Sequence, residues 1–270
     1  MEHRRLGEGG VEVSAVGLGT WQVLDVRGPA EEDRHEVVRA ALDAGITLFD
    51  SSPMYGEAER VLGDALEKHD RDRATVATKV WTSDDGEAER QIERALGFFG
   101  SRVELYQVHN LVAAGKRLET LEHLKEEGKV RSVGATHYSR FAFPQLMDVM
   151  RSGRVDFVQV PYNVAEAAVA DEVLPLAEKL GLGVIVMVPL GSGRLVRNAP
   201  SESDLRPLRE FGVETWAQAL LKFVLSDSRV TCAIPATSSP SRARENARAG
   251  EPPFFGDEER EYVRRLVRSG

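Results

Sequence analysis

The stretch Gly183-Val-Ile-Val-Met-Val188 decides the fold, because it is a short apolar run without polar alternation. Strands that are buried on both faces have this pattern, and parallel strands covered by helices are buried on both faces. Segments with helical spacing of apolar residues separate this run from others like it. The repeated alternation predicts an α/β protein with eight parallel strands. The other seven runs lie at 15–19, 47–50, 74–79, 103–109, 130–136, 155–160 and 230–234.

The length of the chain favours closing these strands into a barrel. A (β/α)8 TIM barrel needs about 250 residues in one domain. The chain has 270, so we predict a single barrel domain over residues 1–270. An open, doubly wound sheet stays the alternative, because alternation alone does not show closure. Its glycine-rich nucleotide motif is incomplete in Gly17-Leu-Gly19 and in Gly191-Ser-Gly193, each of which lacks the third glycine.

Three further segments add to the barrel. Residues 3–13, which turn at Gly9-Gly10, predict an N-terminal β-hairpin that covers the bottom of the barrel. Residues 257–267 predict a C-terminal helix. Residues 191–212 are rich in Ser, Arg and Pro and follow the seventh strand. A structureless loop of that length is uncommon unless it is functional, so we interpret it as a cofactor loop that acts as a lid.

Composition excludes several classes of function. Lys and Arg number 35 against 43 Asp and Glu, a formal charge of -8, which disfavours a surface for nucleic acid or anionic membranes. No apolar run approaches the roughly 20 residues of a membrane span. The single cysteine, Cys232, cannot form an internal disulfide. We therefore expect a cytoplasmic protein that binds neither nucleic acid nor membrane, and the sequence indicates no obligatory protein partner.

Reactive side chains lie at the carboxyl ends of the predicted strands, where (β/α)8 barrels carry their chemistry. Successive strands end with Asp50, Lys79, His109 and Thr136-His137, and the sixth runs through Gln159. Each of these residues alone has a structural explanation, such as a cap, a solvated strand end or a hydrogen-bonded core side chain. Because they lie on neighbouring strands, we interpret them as parts of one site.

Tyr55 adds a phenol to this site, in the loop Asp50-Ser-Ser-Pro-Met-Tyr-Gly56 that follows the second strand. Free tyrosine has a pKa of about 10, and a general acid works best near ambient pH, so this pKa must fall by about 3. The ammonium of Lys79 would lower the pKa of Tyr55, and Asp50 would hold Lys79 charged. A neutral His109 would bind the substrate oxygen. The four side chains predict a proton-transfer site.

Three motifs, in order along the chain, carry a resemblance to a known family: Asp50-Ser-Ser-Pro-Met-Tyr-Gly-Glu-Ala-Glu59 followed by Gly63, Ala77-Thr-Lys79, and Gln107-Val-His109. They resemble the signatures of the aldo-keto reductase superfamily, and the resemblance covers nearly the whole chain. It implies a (β/α)8 enzyme that transfers hydride from a reduced nicotinamide to a small-molecule carbonyl substrate, an aldehyde or ketone. It also implies that Asp50, Tyr55, Lys79 and His109 are catalytic, with Tyr55 as the proton donor.

The resemblance further implies NADPH as the preferred cofactor and NADH as the alternative. Gln159 matches the family's glutamine for the nicotinamide carboxamide, whereas Thr136-His137 replaces a Ser-Asn pair and Met187 replaces a stacking aromatic ring. Arg242 lies near a helix N-terminus, which suits a 2′-phosphate. The implied cofactor residues are Gly19, Thr20, Trp21, Asp50, Thr136, His137, Gln159, Met187, Pro189, Leu190, Gly191, Gly193, Ala236 (in place of a common lysine), Thr237, Ser238, Arg242, Glu245 and Asn246.

Two functions of other classes stay open at this stage. A metal-dependent barrel hydrolase would use His109, His137 and Asp50 as ligands, although the sequence has no close His-x-His pair and we predict no metal. A nicotinamide-binding regulatory protein would keep the fold and the cofactor but have little activity, and the departures at His137 and Met187 leave this alternative open. For an enzyme, the substrate pocket implied by position and resemblance comprises Trp21, Met54, Tyr55, Trp81 and His109.

Overall fold

Eight strands form a parallel sheet in which each strand pairs with the next one in the chain. The computed structural model describes residues 1–269, so residue 270, the predicted end of the domain, lies outside the described residues. The order without crossovers confirms the predicted parallel alternation. The strands are β3 (Leu18–Gly19), β4 (Leu48–Asp50), β5 (Thr75–Val80), β6 (Val103–His109), β7 (Val130–Thr136), β8 (Phe157–Pro161), β9 (Gly183–Met187) and β10 (Cys232–Ala233).

The first and last of these strands close the sheet into a barrel. Val16 forms a parallel bridge with Ala233, and Gly19 forms one with Ala236. The amide of Gly17 donates to the carbonyl oxygen of Ala233 at 2.8 Å. A Cβ atom at Gly17 would lie 2.9 Å from the carbonyl oxygen of Leu48, so glycine permits this close approach. The closure confirms the (β/α)8 barrel and excludes the open doubly wound sheet.

Helices cover the outside of the barrel. In α2 (Ala58–His69), for example, Val61, Leu62, Ala65 and Leu66 are fully buried on one face, as their spacing predicts. Among residues 1–269, no helix has both the length and the apolar character that a membrane crossing needs. The helices are α1 (Ala30–Asp43), α2 (Ala58–His69), α3 (Asp85–Phe98), α4 (Ala114–Glu126), α5 (Phe143–Arg151), α6 (Val169–Glu172), α7 (Leu174–Lys179), α8 (Glu202–Leu205), α9 (Trp216–Leu225), α10 (Pro240–Arg248) and α11 (Asp257–Ser269).

An antiparallel hairpin covers the bottom of the barrel, as predicted. Strand β1 (His3–Arg5) pairs with β2 (Glu12–Ser14). Leu6, Val11 and Val13 are buried and pack against inward-facing apolar side chains of the barrel strands, including Phe157. These residues form a core inside the barrel, separate from the larger core between the strands and the helices. Apolar side chains therefore fill the bottom of the barrel and leave its other end for polar groups.

The loop over residues 191–212 is more ordered than the sequence predicts. It contains α8 and a 3-10 helix (Arg206–Phe211), so the prediction of a structureless segment is wrong. Leu195 is buried, and its carbonyl oxygen accepts a hydrogen bond from Trp216 Nε1 at 2.9 Å. Near the other end, the hydroxyl of Tyr262 donates to the carbonyl oxygen of Asp204 at 2.9 Å. These anchors hold both ends of the segment between Leu195 and Asp204 against the rest of the protein, and its action as a lid stays a prediction.

Candidate active site

Lys79 and Asp50 form a buried ion pair inside the barrel. Alternation along β5 places Ala77 in the inner core and Val76 and Val80 in the outer core, so Lys79 points inward. Its Nζ atom donates to Asp50 Oδ2 and to the carbonyl oxygen of Ser51, both at 2.7 Å. Burial alone would lower the pKa of Lys79, but the adjacent Asp50 carboxylate, together with Tyr55 and Glu59, raises this pKa above its ordinary value. Lys79 is therefore a fixed cation at the carboxyl end of the strands.

Two glutamine amides hold the other oxygen of Asp50. Gln159 Nε2 donates to Asp50 Oδ1 at 2.8 Å, and Gln107 Nε2 lies 3.3 Å from the same atom. Both side chains are buried. Gln159, which the sequence assigns to the cofactor, is thus also a support of the ion pair. Gln107 lies in a quoted motif, but the sequence did not mark it as a site residue.

Tyr55 lies at the rim of this buried pair, in the turn between β4 and α2. Its amide donates to the carbonyl oxygen of Ser52 at 3.0 Å. Gly56 follows with φ of +62°, and a Cβ atom there would lie 2.1 Å from Asp25 Oδ1, so the turn requires glycine. Asp25 Oδ1 in turn accepts the amide of Glu57 at 3.0 Å. The turn leaves the ring of Tyr55 half-buried, with its centroid 5.2 Å from Lys79 Nζ.

The expected lowering of the Tyr55 pKa is wrong for the protein without ligands. Burial of the phenol raises its pKa, and the negative charge of Asp50 adds to this effect. Lys79 acts in the predicted direction, but it does not outweigh the loss of water. Tyr55 therefore holds its proton at neutral pH, which is the protonation state a proton donor needs.

His109 ends β6 and lies between two aromatic side chains of the rim. Its ring centroid is 6.0 Å from that of Tyr55, edge to face, and 6.4 Å from that of Trp81. Burial, and then the charge of Lys79, lower the pKa of His109 to about 3. The imidazole is therefore neutral, as predicted. Nδ1 lies 3.0 Å from the hydroxyl oxygen of Ser52, a contact that the sequence analysis missed.

Large apolar side chains are exposed close to the carboxyl ends of the strands and form an apolar mouth, in which Trp81 contacts His109. The predicted pocket residues Trp21, Met54 and Trp81 are each more than 40% exposed, which is unusual for side chains of this size. Tyr138 and Phe141 follow β7 and are also exposed, at 67% and 96%. The sequence analysis did not single out these two rings, although both are aromatic and closely follow a strand end. Of these two rings, Tyr138 stacks on His137, with ring centroids 5.2 Å apart.

The residues predicted to hold the nicotinamide differ in whether their side chains are already engaged within the protein. Thr136 pairs with Gln159 across β7 and β8, and Gln159 in turn donates to Asp50 Oδ1. The hydroxyl of Thr20 is buried and lies 3.0 Å from the carbonyl oxygen of Asp50, so it is already engaged within the barrel. His137 Nδ1 accepts the amide of Ser139 at 3.0 Å, which leaves its other ring nitrogen for a ligand. The half-buried side chain of Met187, at the end of β9, packs against the inner core.

A cleft of about 420 Å³, lined by two arginines and a glutamate, continues from the end of β9. Gly191 and Gly193 have φ values of +59° and +81°, and they turn the chain after Pro189 and Leu190. Val188 adopts φ of +47°, a strained conformation for a β-branched residue. The two arginines of the cleft were not among the predicted site residues, although both lie in the loop predicted to be functional. The lining residues are Asn163, Glu166, Val188, Gly191, Ser192, Arg194 and Arg197.

The segment predicted to hold the adenosine end runs from β10 into α10. Arg242 is exposed on the first turn of α10, and its amide lies 3.5 Å from the capping hydroxyl of Ser239. Glu245 Oε1 accepts the hydroxyl of Thr215 at 2.7 Å, so this carboxylate is tied to the start of α9. Asn246 and Thr237 are buried, whereas Ala236 and Ser238 are exposed. Arg242 is the cation of this set that faces solvent.

The site does not have the ligand arrangement of a metal centre. Asp50 is engaged by Lys79 and two glutamines, and His109 by Ser52. Across residues 1–269, no three His, Cys, Asp or Glu side chains are grouped so that they could hold a metal ion. The ligand set that a barrel hydrolase would need therefore does not converge.

A family model described as the aldo/keto reductase family matches residues 15–268. The chain belongs to the aldo/keto reductase family. It is 30% identical to L-galactose dehydrogenase of Arabidopsis thaliana over 92% of this chain and 88% of that one. It is 28% identical to the NADH-specific methylglyoxal reductase of Escherichia coli over 70% of this chain and 68% of that one. Alignments with these and other curated relatives cover between 66% and 88% of the relatives' lengths.

A solved structure of an aldo/keto reductase from Klebsiella pneumoniae, in complex with NADP and acetate, has the same fold. Its TM-score is 0.83 at 27% identity, over 98% of this chain and 95% of that one. The family assignment confirms the resemblance drawn from the three sequence motifs, and it identifies the chain as an oxidoreductase of this family.

The reductase also carries a buried carboxyl behind the site, which yields a stability prediction. Glu59 on α2 accepts the hydroxyl of Thr78 at 2.5 Å, and burial raises its pKa from 4.5 to about 7. The unfolded chain ionises near 4.5 while the folded chain keeps the proton up to about 7. The free energy of unfolding should therefore fall as pH rises through this window, by roughly 3 kcal/mol.

Glu59→Gln should remove this pH dependence and make the protein more stable at alkaline pH by roughly 2–3 kcal/mol. Urea unfolding across the pH range measures the effect. Glu67→Gln, at an exposed position of the same helix, is the control and should keep the slope of the wild type. An unchanged slope in Glu59→Gln would contradict the buried-carboxyl explanation.

Proposed function

We propose that this aldo/keto reductase reduces an aldehyde or ketone to an alcohol, with NADPH as its cofactor and Tyr55 as the general acid. The observation that carries the proposal is the buried Lys79–Asp50 pair, whose ammonium lies 5.2 Å from the ring centroid of a half-buried, protonated tyrosine. A bound reduced nicotinamide supplies hydride to the carbonyl carbon. Every other step falls to the side chains of this chain.

Tyr55 gives its hydroxyl proton to the carbonyl oxygen as the C=O π bond breaks. The alcohol leaves, and a phenolate stays behind on Tyr55. Lys79 stabilises that phenolate through its charge, because the fixed ammonium costs no reorganisation during the reaction. Asp50 keeps Lys79 charged and directed. The ring of His109, which its pKa of about 3 keeps neutral at neutral pH, donates a hydrogen bond to the carbonyl oxygen but does not supply the proton.

The residues around the site fit a dinucleotide. Arg194 and Arg197 line a cleft that suits the pyrophosphate, where Arg194 would exchange its pairing with Glu166, 3.4 Å away, for a phosphate oxygen. The Klebsiella neighbour that binds NADP supports the same cofactor here. The lack of a lysine at Ala236 leaves Arg242 as the proposed partner of the 2′-phosphate, and the NADH-specific relative keeps NADH as the alternative. The cytoplasmic location stays a prediction.

The direct test follows the absorbance of NADPH and of NADH with purified protein and a panel of aromatic, aliphatic and sugar-derived carbonyls. We expect carbonyl-dependent oxidation of NADPH, with a preference for uncharged substrates that fit the apolar mouth. Tight NADPH binding without reduction of any carbonyl would instead favour the regulatory protein. Stoichiometric zinc or manganese in active protein, lost together with activity on chelation, would favour the hydrolase.

Arg242→Met should raise the KM for NADPH by about tenfold to a hundredfold, because it removes one charge-assisted contact to a phosphate. The KM for NADH, which lacks the 2′-phosphate, should stay unchanged. Arg248→Met is the matched control on the same helix, where the guanidinium pairs with Glu214 at 2.6 Å instead. Steady-state kinetics with both cofactors measure the effect. A parallel loss for NADH would show that Arg242 does not recognise the 2′-phosphate.

A further inference from the structure

Ser52 contacts the ring nitrogen of His109 that faces away from the proposed chemistry. The serine is the second residue after β4 and is fully buried, while His109 is 7% exposed. The hydroxyl oxygen of Ser52 lies 3.0 Å from His109 Nδ1. The same oxygen also accepts the amide of Met54, at 3.4 Å. Neither the three motifs nor the ion pair explains why a hydroxyl is placed here.

The protons of this contact can be assigned by counting donors. The serine hydroxyl carries one proton, and the amide of Met54 can only donate to its oxygen. Among residues 1–269, His109 Nδ1 is the acceptor within hydrogen-bond distance of this hydroxyl. If Nδ1 carried the ring proton, it would donate that proton to the serine oxygen. The hydroxyl proton of Ser52 would then have no acceptor among the described residues. The arrangement that satisfies every group has Ser52 donating to an unprotonated Nδ1.

A neutral imidazole with an unprotonated Nδ1 must carry its proton on Nε2. Burial and the nearby charge of Lys79 keep the ring neutral, since they lower the pKa of His109 to about 3. The described residues contribute no hydrogen-bond partner to Nε2, so its proton is free for a ligand at the rim between Tyr55 and Trp81.

We infer that Ser52 is a positioning residue that fixes His109 in the Nε2–H tautomer and so presents a hydrogen-bond donor to the carbonyl oxygen of the substrate. The use of that donor rests on the proposed function, whereas the tautomer itself does not. Without Ser52, no hydroxyl would hold Nδ1 unprotonated, so the Nδ1–H form, which turns a lone pair of Nε2 toward the carbonyl oxygen, would gain population. That form repels the substrate oxygen instead of binding it.

Nitrogen-15 NMR of the ligand-free protein, labelled at its histidines, tests the tautomer directly, and His109→Gln identifies the signals among the six histidines. We expect the Nε2–H pattern in the wild type and a mixed pattern in Ser52→Ala. Ser52→Thr keeps a hydroxyl and should restore the wild-type pattern. Ser14→Ala removes another buried hydroxyl, one that donates to the carbonyl oxygen of Val16 at the bottom of the barrel, and should leave the His109 signals unchanged.

Kinetics supply the second readout. Ser52→Ala should lower kcat by about tenfold, the effect of losing one ordinary hydrogen bond, and leave the dissociation constant of NADPH unchanged. Ser52→Thr should recover most of the lost kcat. An Nδ1–H pattern in the wild type, or an unchanged pattern in folded Ser52→Ala, overturns the inference. An inactive wild-type protein that shows the Nε2–H pattern overturns the proposed function and supports the tautomer assignment.

Discussion

Tyr55→Phe is expected to abolish turnover, with a loss of about a thousandfold or more in kcat, while the binding of NADPH stays within about twofold. The phenol is the acidic group at the rim that still holds its proton at neutral pH, because burial raises its pKa. Phenylalanine keeps the ring and its edge-to-face contact with His109, so the change removes the proton donor with little change in packing. Single-turnover kinetics with an aromatic aldehyde, together with fluorescence titration of NADPH, measure the two quantities separately.

Tyr106→Phe is the matched control for this experiment. Its hydroxyl lies on β6, is fully buried and has no hydrogen-bond partner within the described residues. Losing that group should leave kcat unchanged and cost no stability, because no hydrogen bond is broken. A Tyr55→Phe enzyme that reduces aldehydes at the wild-type rate would contradict the role proposed for Tyr55.

The raised pKa also determines how the rate of reduction depends on pH. The reaction needs the protonated phenol, and a pKa above its ordinary value keeps Tyr55 protonated through neutral and mildly alkaline pH. Alcohol oxidation needs the phenolate and should rise with pH over the same range. The rate of reduction should therefore stay level over this range and fall only as pH approaches the raised pKa, so one titrating group gives the two directions different pH profiles.

The fold and the four reactive residues could be predicted from the sequence because each rests on a local pattern. Doubly buried strands are continuous apolar runs, such as the one at 183–188, and parallel strands bring their carboxyl ends to one side. Because β4, β5 and β6 are neighbours, the side chains at their carboxyl ends lie close together. These side chains are Asp50, Lys79 and His109. The helix in the loop was also readable: Ser201 and Asp204 form a capping box, which the sequence analysis did not use.

The pKa of Tyr55 and the partners of Asp50 could not be predicted in the same way. The sign of the pKa depends on a balance between lost hydration and the charge of Lys79, and both vary steeply with distances of a few ångströms. Gln107 and Gln159 reach Asp50 from strands 57 and 109 residues away along the chain. The Ser52–His109 contact likewise spans 57 residues. Such contacts depend on side-chain orientation inside a closed barrel, which residue spacing does not encode.

Lys79→Met is expected to destabilise the protein by about 3–5 kcal/mol, the cost of leaving one charge of a buried pair without its partner. Asp50 would keep the two glutamine amides on Oδ1 but lose the ammonium 2.7 Å from Oδ2. The double variant Lys79→Met/Asp50→Asn removes both charges and keeps an oxygen for the glutamines, so it should recover most of the lost stability. Urea unfolding of the wild type, both single variants and the double variant completes the cycle.

Activity should not recover with stability in this cycle. Both Lys79→Met proteins lack the cation that stabilises the phenolate of Tyr55, so kcat should fall by at least about a hundredfold in each of them. If the ion pair only held the barrel together, the restabilised double variant would regain turnover, and the role of Lys79 in the reaction would be refuted. A double variant that is as stable as the wild type and still inactive separates the two roles. Asp50 then serves to keep Lys79 charged, and the charge of Lys79 serves to stabilise the phenolate that Tyr55 leaves when it gives up its proton.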